Sequence, residues 1–191
     1  MTNVGELWRN LIAAGITCGI LLWFADAGTP LSFLVGLVYA SFFEYFYHRC
    51  IGHSTVFPLA AEKHREHHRE WRGEGALSND RTKQHLNEAW YFFPAALLAH
   101  FSIAEFFFTA PWPMLVAFTL FYMQFEIFHW ATHIEDNWID DILYRIPVVK
   151  SFRREHVNWH LWHHKMPKEK FNFTPPYPGD YLFGTDIDWA E

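Results

Sequence analysis

The chain has 191 residues, a length typical of a single domain. Aromatic residues make up 20% of it and charged residues 19%, and this composition excludes a disordered or low-complexity protein. A net charge of −6 argues against a nucleic-acid partner, and two cysteines without a C-x-x-C motif exclude a disulfide scaffold and a thiolate zinc finger. The thirteen histidines are the unusual feature of the composition.

Four stretches of the chain are almost free of charged residues and long enough to cross a membrane as helices. A helix rises about 1.5 Å per residue, and the hydrocarbon core of a bilayer is about 30 Å thick. Within each pair of stretches the connection is short, at residues 26–30 and 109–113. The sequence therefore predicts two transmembrane hairpins with four spans, at about residues 11–27, 30–47, 89–110 and 111–130.

The positions of the cations predict the orientation of these hairpins. All fifteen Lys and Arg residues fall at residue 9, within 49–83 or within 145–170, and neither short connector contains one. Two hairpins that start on one side place these regions together, and the positive-inside rule makes that side cytoplasmic.

The resulting prediction is an all-α integral membrane protein that forms one domain over residues 1–191. Both termini lie in the cytoplasm, together with a helical cap made of residues 48–88 and 131–191. Two other interpretations stay open, namely a soluble bundle of buried helices and a signal peptide that ends near residue 27.

Ten of the thirteen histidines form four clusters whose spacing matches helical turns. Residues i, i+3 and i+4 share one helix face, so each H-x-x-H-H triplet projects its imidazoles together, and H-x-x-x-H places two of them one turn apart. The H-x(4)-H pair is off-face in a regular helix, and Gly52 suggests that the helix loosens there. The ten residues are His48, His53, His64, His67, His68, His129, His133, His160, His163 and His164.

The number and placement of these histidines predict a metal centre. The predicted topology brings all four clusters to the cytoplasmic ends of the spans. A single zinc ion takes about four ligands, so ten imidazoles suggest two ions with about five ligands each. Imidazole binds zinc, copper, iron and nickel, and the spacing alone does not choose among them.

The ordered motifs H-x(4)-H, H-x-x-H-H, H-x-x-x-H and H-x-x-H-H, placed around two hairpins, resemble the fatty acid hydroxylase/sterol desaturase superfamily. Residues 44–49, Glu-Tyr-Phe-Tyr-His-Arg, are similar to the family's opening E-Y-x-x-H-R motif. Residues 160–165, then Asn172-Phe173 and residues 182–185, are similar to its closing H-x-x-H-H, N-F-G and F-G-T motifs. Thr174 stands where the family has glycine, a difference expected to alter the loop on the substrate side.

The resemblance, which covers about residues 43–185, implies a membrane-bound non-haem di-iron oxygenase. It implies that the ten clustered histidines hold two iron ions, and that O₂ and two electrons are used to hydroxylate an unactivated C–H bond of a fatty acyl, sterol or isoprenoid lipid. The chain has no iron–sulfur cysteine set, so a separate electron-transfer protein is the expected donor. Zinc or another divalent metal is also expected in purified protein, since imidazole sites accept several metals.

Three further side chains are candidates to orient the ligands, because each precedes a clustered histidine by three or four residues: Glu44, Glu126 and His156. Glu44 and Glu126 are expected to accept the ring N–H of a ligand, and direct ligation or proton delivery is the alternative for both. For His156, ligation as an eleventh ligand is the alternative. His100 is expected to pack within its span or line a substrate channel, and His85 is expected at the membrane interface.

Other functions compete with lipid hydroxylation. Within the same chemistry, desaturation, carotenoid hydroxylation and aldehyde processing stay open. A metal transporter without redox turnover needs polar residues along a path across the bilayer, whereas the histidines are gathered at one end. A zinc hydrolase needs an open metal position and a carboxylate base, and ten histidines exceed that need.

Overall fold

The computed structural model describes residues 2–83, 91–107 and 111–187, and the regular elements in these ranges are helical, as predicted. A π-helical turn at His48–Gly52 directly continues α2, and a 3₁₀ turn at Gly73–Ala76 follows α3. The α-helices, numbered in chain order, are α1 (Asn3–Leu22), α2 (Pro30–Tyr47), α3 (Pro58–Glu70), α4 (Phe92–Phe107), α5 (Trp112–His133), α6 (Trp138–Leu143), α7 (Pro147–Lys165) and α8 (Pro178–Phe183).

The observed helices agree closely with two of the predicted spans. The second predicted span coincides with α2, which begins at Pro30 because proline fits the first helical turn, where an N–H has no partner. Helix α5 starts one residue later than predicted and continues through His133. Helix α4 lies inside the third predicted span, whose residues 89–90 and 108–110 are outside the described residues.

The helix that overlaps the first predicted span, 11–27, has different bounds. Helix α1 begins at Asn3, because the Thr2 side chain accepts a hydrogen bond from the backbone N–H of Gly5 and caps the helix (3.3 Å). It ends at Leu22, and the following residues leave the helix for the connector.

The two short connectors contact each other at one end of the bundle. The backbone N–H of Trp112 donates to the carbonyl oxygen of Asp26 (3.0 Å), within an isolated bridge between Asp26 and Pro111. Gly28 permits this approach, because a Cβ atom at that position would lie 2.5 Å from Cδ of Pro113. Helices α2 and α5 both start beside these connectors, so their histidine-bearing ends lie together at the opposite end.

Small residues let α2 and α5 pack closely along their lengths. A Cβ atom on Gly36 would lie 2.9 Å from Cβ of Ala117 and 3.0 Å from Cα of Met114. Ala40, one turn after Gly36, is also buried. Small residues four apart are typical of close helix contacts in membranes, where they bring backbones together.

Within the described ranges, two helical segments are long and apolar enough to cross a membrane, namely Pro30–Gly52 and Trp112–His133. Helix α1 exposes Ile12, Ile16 and Ile20 at 57%, 60% and 59%, and these residues form an outward stripe with a spacing of four. A continuous apolar stripe of this kind is uncommon on a soluble protein. It therefore disfavours the soluble-bundle interpretation.

The cap covers the histidine-bearing ends of α2 and α5. Helix α3 packs against the π-helical turn, α8 packs against α2, and α7 packs against α5. A buried ion pair between Arg153 of α7 and Asp140 of α6, at 2.7 Å, joins two of the cap helices.

Candidate metal centre

The structure brings all ten clustered histidines together in two groups of five. Within each group the potential ligand nitrogens all lie within 4.8 Å of one another. Group one contains His48, His53, His64, His68 and His163. Group two contains His67, His129, His133, His160 and His164.

The rings of each H-x-x-H-H triplet lie together, with centroids no more than 6.3 Å apart, but the members of each triplet are divided between the two groups. In α3, His64 and His68 belong to group one, whereas His67 belongs to group two. In α7, the i and i+4 residues belong to group two and His163 belongs to group one. Neighbouring residues on a helix differ by about 100°, so i+3 and i+4 point to opposite sides of residue i. Each of these helices therefore serves both groups.

The loosened helix predicted at Gly52 is confirmed as a π-helical turn. The backbone N–H of His53 donates to the carbonyl oxygen of His48, five residues earlier, at 3.1 Å. A Cβ atom on Gly52 would lie 3.3 Å from the His64 ring, so glycine lets that ring approach. The extra residue in the turn brings His53 into the same group as His48.

Backbone carbonyls orient three of the rings. The Nδ1 atom of His48 lies 2.6 Å from the carbonyl oxygen of Phe171, and that of His163 lies 2.6 Å from the carbonyl oxygen of Glu169. The Nδ1 atom of His133 lies 2.9 Å from the carbonyl oxygen of Ala76. A carbonyl oxygen only accepts hydrogen bonds, so each of these Nδ1 atoms carries the proton. In the neutral ring, Nε2 then presents a lone pair to the group.

These lone pairs converge, and the donor set therefore fits a cation. Nε2 atoms lie 2.9 Å apart in the pair His48–His64, 3.1 Å in His53–His163 and 3.0 Å in His133–His160. A hydrogen bond between two neutral rings needs an Nε2–H donor on one ring and satisfies the lone pair of the other ring only. A metal ion shared by five imidazoles satisfies all of them together, and iron and zinc both accept imidazole nitrogen.

Burial favours the neutral form that metal binding requires. It is the largest cause that lowers the pKa of His53 to about 4 and that of His68 to about 2. It also holds the pKa of His64, His67 and His160 well below the usual value, and neighbouring imidazoles lower it further. Burial thus favours the neutral form of these five imidazoles near pH 7, the form that binds metals.

Glu44 contacts backbone N–H groups of the closing loop. Its Oε1 atom accepts hydrogen bonds from the N–H groups of Phe173 and Thr174, the latter at 3.0 Å. It thereby holds the segment beside the carbonyl of Phe171, which in turn orients His48. Its effect on that ligand passes through the backbone, which the prediction of a direct ring contact did not anticipate.

Asp180 is a residue that sequence reasoning missed. Its carboxylate accepts hydrogen bonds from the backbone N–H groups of Phe171 (2.8 Å) and Asn172 (2.7 Å). The side chain of Asn172 accepts in return from the N–H of Gly179 (2.8 Å). No spacing pattern marks Asp180, because two of its partners are backbone N–H groups of a non-helical segment; the third is the hydroxyl of Thr185, which donates to Oδ1 at 2.6 Å.

The other predicted candidates occupy different positions. His156 belongs to neither histidine group, and its Nδ1 lies 3.2 Å from the guanidinium Nη1 of Arg153. Burial, followed by this cation, lowers the pKa of His156 to about 3. Glu126 is fully buried within α5, and its orienting role stays a prediction. His85 lies outside the described residues.

An apolar cavity adjoins both histidine groups. His48 and His64 of group one and His129 and His160 of group two form part of its wall, together with Glu44. The rest is mainly aromatic, and includes Phe43, Tyr47, Phe93, Phe118, Tyr122 and Phe125. The cavity offers an apolar molecule a place beside both groups.

A comparison with family models gives one match in support of this picture. The model described as fatty acid hydroxylase matches residues 33–185, a range that includes all four histidine clusters. No curated protein and no solved structure matches the chain.

Proposed function

The chain belongs to the fatty acid hydroxylase family, whose members are generally lipid hydroxylases and desaturases, and on that premise we propose that it is a membrane-bound di-iron oxygenase. The proposed reaction converts an unactivated C–H bond of a fatty acyl, sterol or isoprenoid lipid to an alcohol. O₂, two electrons and two protons are consumed, and water is the second product. The observation that carries this proposal is the apolar cavity that touches both groups of five histidines.

In this proposal the five histidines of each group hold one iron ion. When bound, the two irons supply the reduction of O₂ and the oxidising power to remove hydrogen from an alkyl carbon. Electrons reach them from a separate electron-transfer protein. Zinc or another divalent ion in the purified protein is compatible with the same imidazole set.

The protein's own residues position the ligands and the substrate. His48, His133 and His163 hold their protons at Nδ1 against backbone carbonyls, which directs each Nε2 lone pair into its group. The aromatic wall, with Phe43 and Phe125 among its rings, excludes water from the place where the lipid binds. An acyl or isoprenoid tail lies along this wall, with the carbon to be oxidised beside the histidines.

The proposed topology has four spans, α1, α2, α4 and α5, with the termini, the cap and the histidines in the cytoplasm. Exposed apolar side chains on α1 and α4 support it, such as Ile16 of α1, which is 60% exposed, and Phe106 of α4, which is 81% exposed. Single cysteines at the exposed positions 27 and 165, in a chain whose own cysteines are replaced by serine, should react with an impermeant reagent from opposite sides. Labelling from the same side contradicts the topology.

Oxygen labelling tests the proposed reaction. A host that expresses the chain with a reductase is grown under ¹⁸O₂, and its lipids are compared by mass spectrometry with those of a host without the chain. The expected result is a new hydroxylated lipid that carries one heavy oxygen atom. A new double bond without label shows a desaturase instead, and unchanged lipids despite metal-loaded protein refute the oxygenase.

A further inference from the structure

A second cavity lies beyond the first and farther from the two histidine groups. It lies between α2, α4 and α5, with Tyr39, Leu97, His100 and Met114 in its wall. Phe118 lines both cavities. The boundary between the two cavities therefore lies at this side chain.

Three rings, one from each helix, meet at this boundary and form what we name the aromatic gate: Phe43 of α2, His100 of α4 and Phe118 of α5. Ring centroids lie 4.7 Å apart for Phe43 and His100, 5.2 Å for Phe43 and Phe118, and 5.5 Å for His100 and Phe118. At these separations the rings are in contact with one another. The gate is therefore closed in this structure.

The backbone of α4 holds the His100 ring in the gate. Its Nδ1 atom donates to the carbonyl oxygen of Ala96, one turn earlier, at 2.6 Å. Tyr39 also supports the gate, with its ring centroid 5.7 Å from His100 and 5.9 Å from Phe118. This role accounts for a histidine in the middle of an apolar helix, away from both histidine groups.

The two cavities together are nearly as deep as a bilayer. Along α5, the first cavity extends from His129 to Phe118, which is about 17 Å at the rise of a helix. The second continues from Phe118 to Pro111, about 10 Å farther. A tail that stops at the gate is thus much shorter than one that passes it.

We propose that the aromatic gate is the floor of the substrate cavity and limits the length of acyl tail that fits beyond the histidines. This inference rests on the proposed function, because it assumes that the first cavity receives a lipid tail. The tail of the substrate ends at Phe118. Removal of that ring joins the two cavities and admits a tail that reaches Leu97.

Photo-crosslinking in membranes tests the gate without turnover. Fatty acids of increasing length, each with a diazirine at the tail end, are incorporated into membranes that contain the full protein chain. Crosslinked residues are then mapped by peptide mass spectrometry. Leu97 is the reporter, because it lines the second cavity and is only 1% exposed, so bilayer lipid does not reach it. We expect wild-type crosslinks in the first cavity and at the gate, and at least a tenfold rise at Leu97 in Phe118→Ala.

The controls separate the gate from folding and from catalysis. Leu120→Ala changes an exposed residue of the same helix and should keep the wild-type map. Phe118→Leu is a milder change for the case in which alanine prevents folding, and it should give a smaller rise at Leu97. Strong wild-type labelling of Leu97, or the same map in wild type and both Phe118 variants, overturns the gate. A shifted map together with unlabelled lipids in the ¹⁸O₂ experiment supports the gate and refutes the oxygenase.

Discussion

The two histidine groups have the same number of imidazoles but different surroundings. All five rings of group two are buried, whereas His53 and His68 of group one are only partly buried. Group two includes two rings from the long helix α5. Group one includes His48, which begins the π-helical turn, and His53, which directly follows it. In group one, the carbonyls that accept from Nδ1 are those of Phe171 and Glu169, in a non-helical segment.

This difference shows that the groups depend on different parts of the fold. Helical spacing largely determines the positions of the rings in group two. In group one, His48 and His163 are oriented by a loop that Glu44, Asn172 and Asp180 hold in place. Loss of the Asp180 contacts should therefore affect group one, whereas the Phe173 ring of the same loop contacts His129 and His160 of group two.

The largest expected effect comes from removal of one ligand in either group. His68→Ala in group one and His164→Ala in group two should each lower hydroxylation by more than about 100-fold, because both ions are required. Helical content by circular dichroism should stay at the wild-type level, since the spans do not depend on these rings. Lys63→Ala, an exposed change on α3, is the control. Wild-type turnover in both histidine variants contradicts the account.

Asp180→Asn should weaken metal binding by group one and leave metal binding by group two unchanged. The amide replaces one acceptor oxygen with a donor, so the N–H of Phe171 or Asn172 loses its partner and the loop loosens. We expect the metal affinity of group one to fall by about 10–100-fold, measured by competition with a chelator, while that of group two is unchanged. Asp141→Asn, an exposed change on α6, should leave both affinities at the wild-type value. Equal weakening of both groups shows a general loss of stability instead.

A pair of glycine substitutions tests the support of the loop. A Cβ atom on Gly179 would lie 2.3 Å from Cγ of Tyr45, so Gly179→Ala should destabilise the protein by about 1–3 kcal/mol through overpacking. Gly19 on α1 has nothing within 4 Å of its Cβ position, and Gly19→Ala should be neutral or stabilising by about 0.5–1 kcal/mol. Thermal unfolding in detergent measures both changes. Equal effects at the two sites contradict the close packing at Gly179.

The pH dependence of the metal-free protein gives the smallest expected effect. In the folded protein the pKa of His53 is lowered from 6.5 to about 4, so below pH 6.5 the unfolded chain binds a proton that the folded chain does not. The free energy of unfolding should therefore be greatest above pH 6.5 and decrease as the pH falls toward 4. In His53→Gln the slope should be shallower by at most about 1.4 kcal/mol per pH unit. Stability that rises on acidification over this range contradicts the assignment.

The sequence predicts the histidine groups better than it predicts what orients them. A run of uncharged, mainly apolar residues predicted α2 accurately, and the count of ten histidines predicted two groups of five. The division of each triplet was missed, because the positions of α3 and α7 between the groups depend on tertiary packing. The contacts of Glu44 with residues 173 and 174 link parts of the chain about 130 residues apart, which local patterns do not encode.

The central claim is that each group of five histidines holds one iron ion. The most direct test is the metal content of wild-type protein purified without oxygen from an iron-supplemented host, measured by mass spectrometry against protein concentration. The account predicts about two iron ions per chain, the number that ten imidazoles in two groups of five accommodate. A reproducible value near one, with no metal lost during purification, contradicts the dinuclear centre.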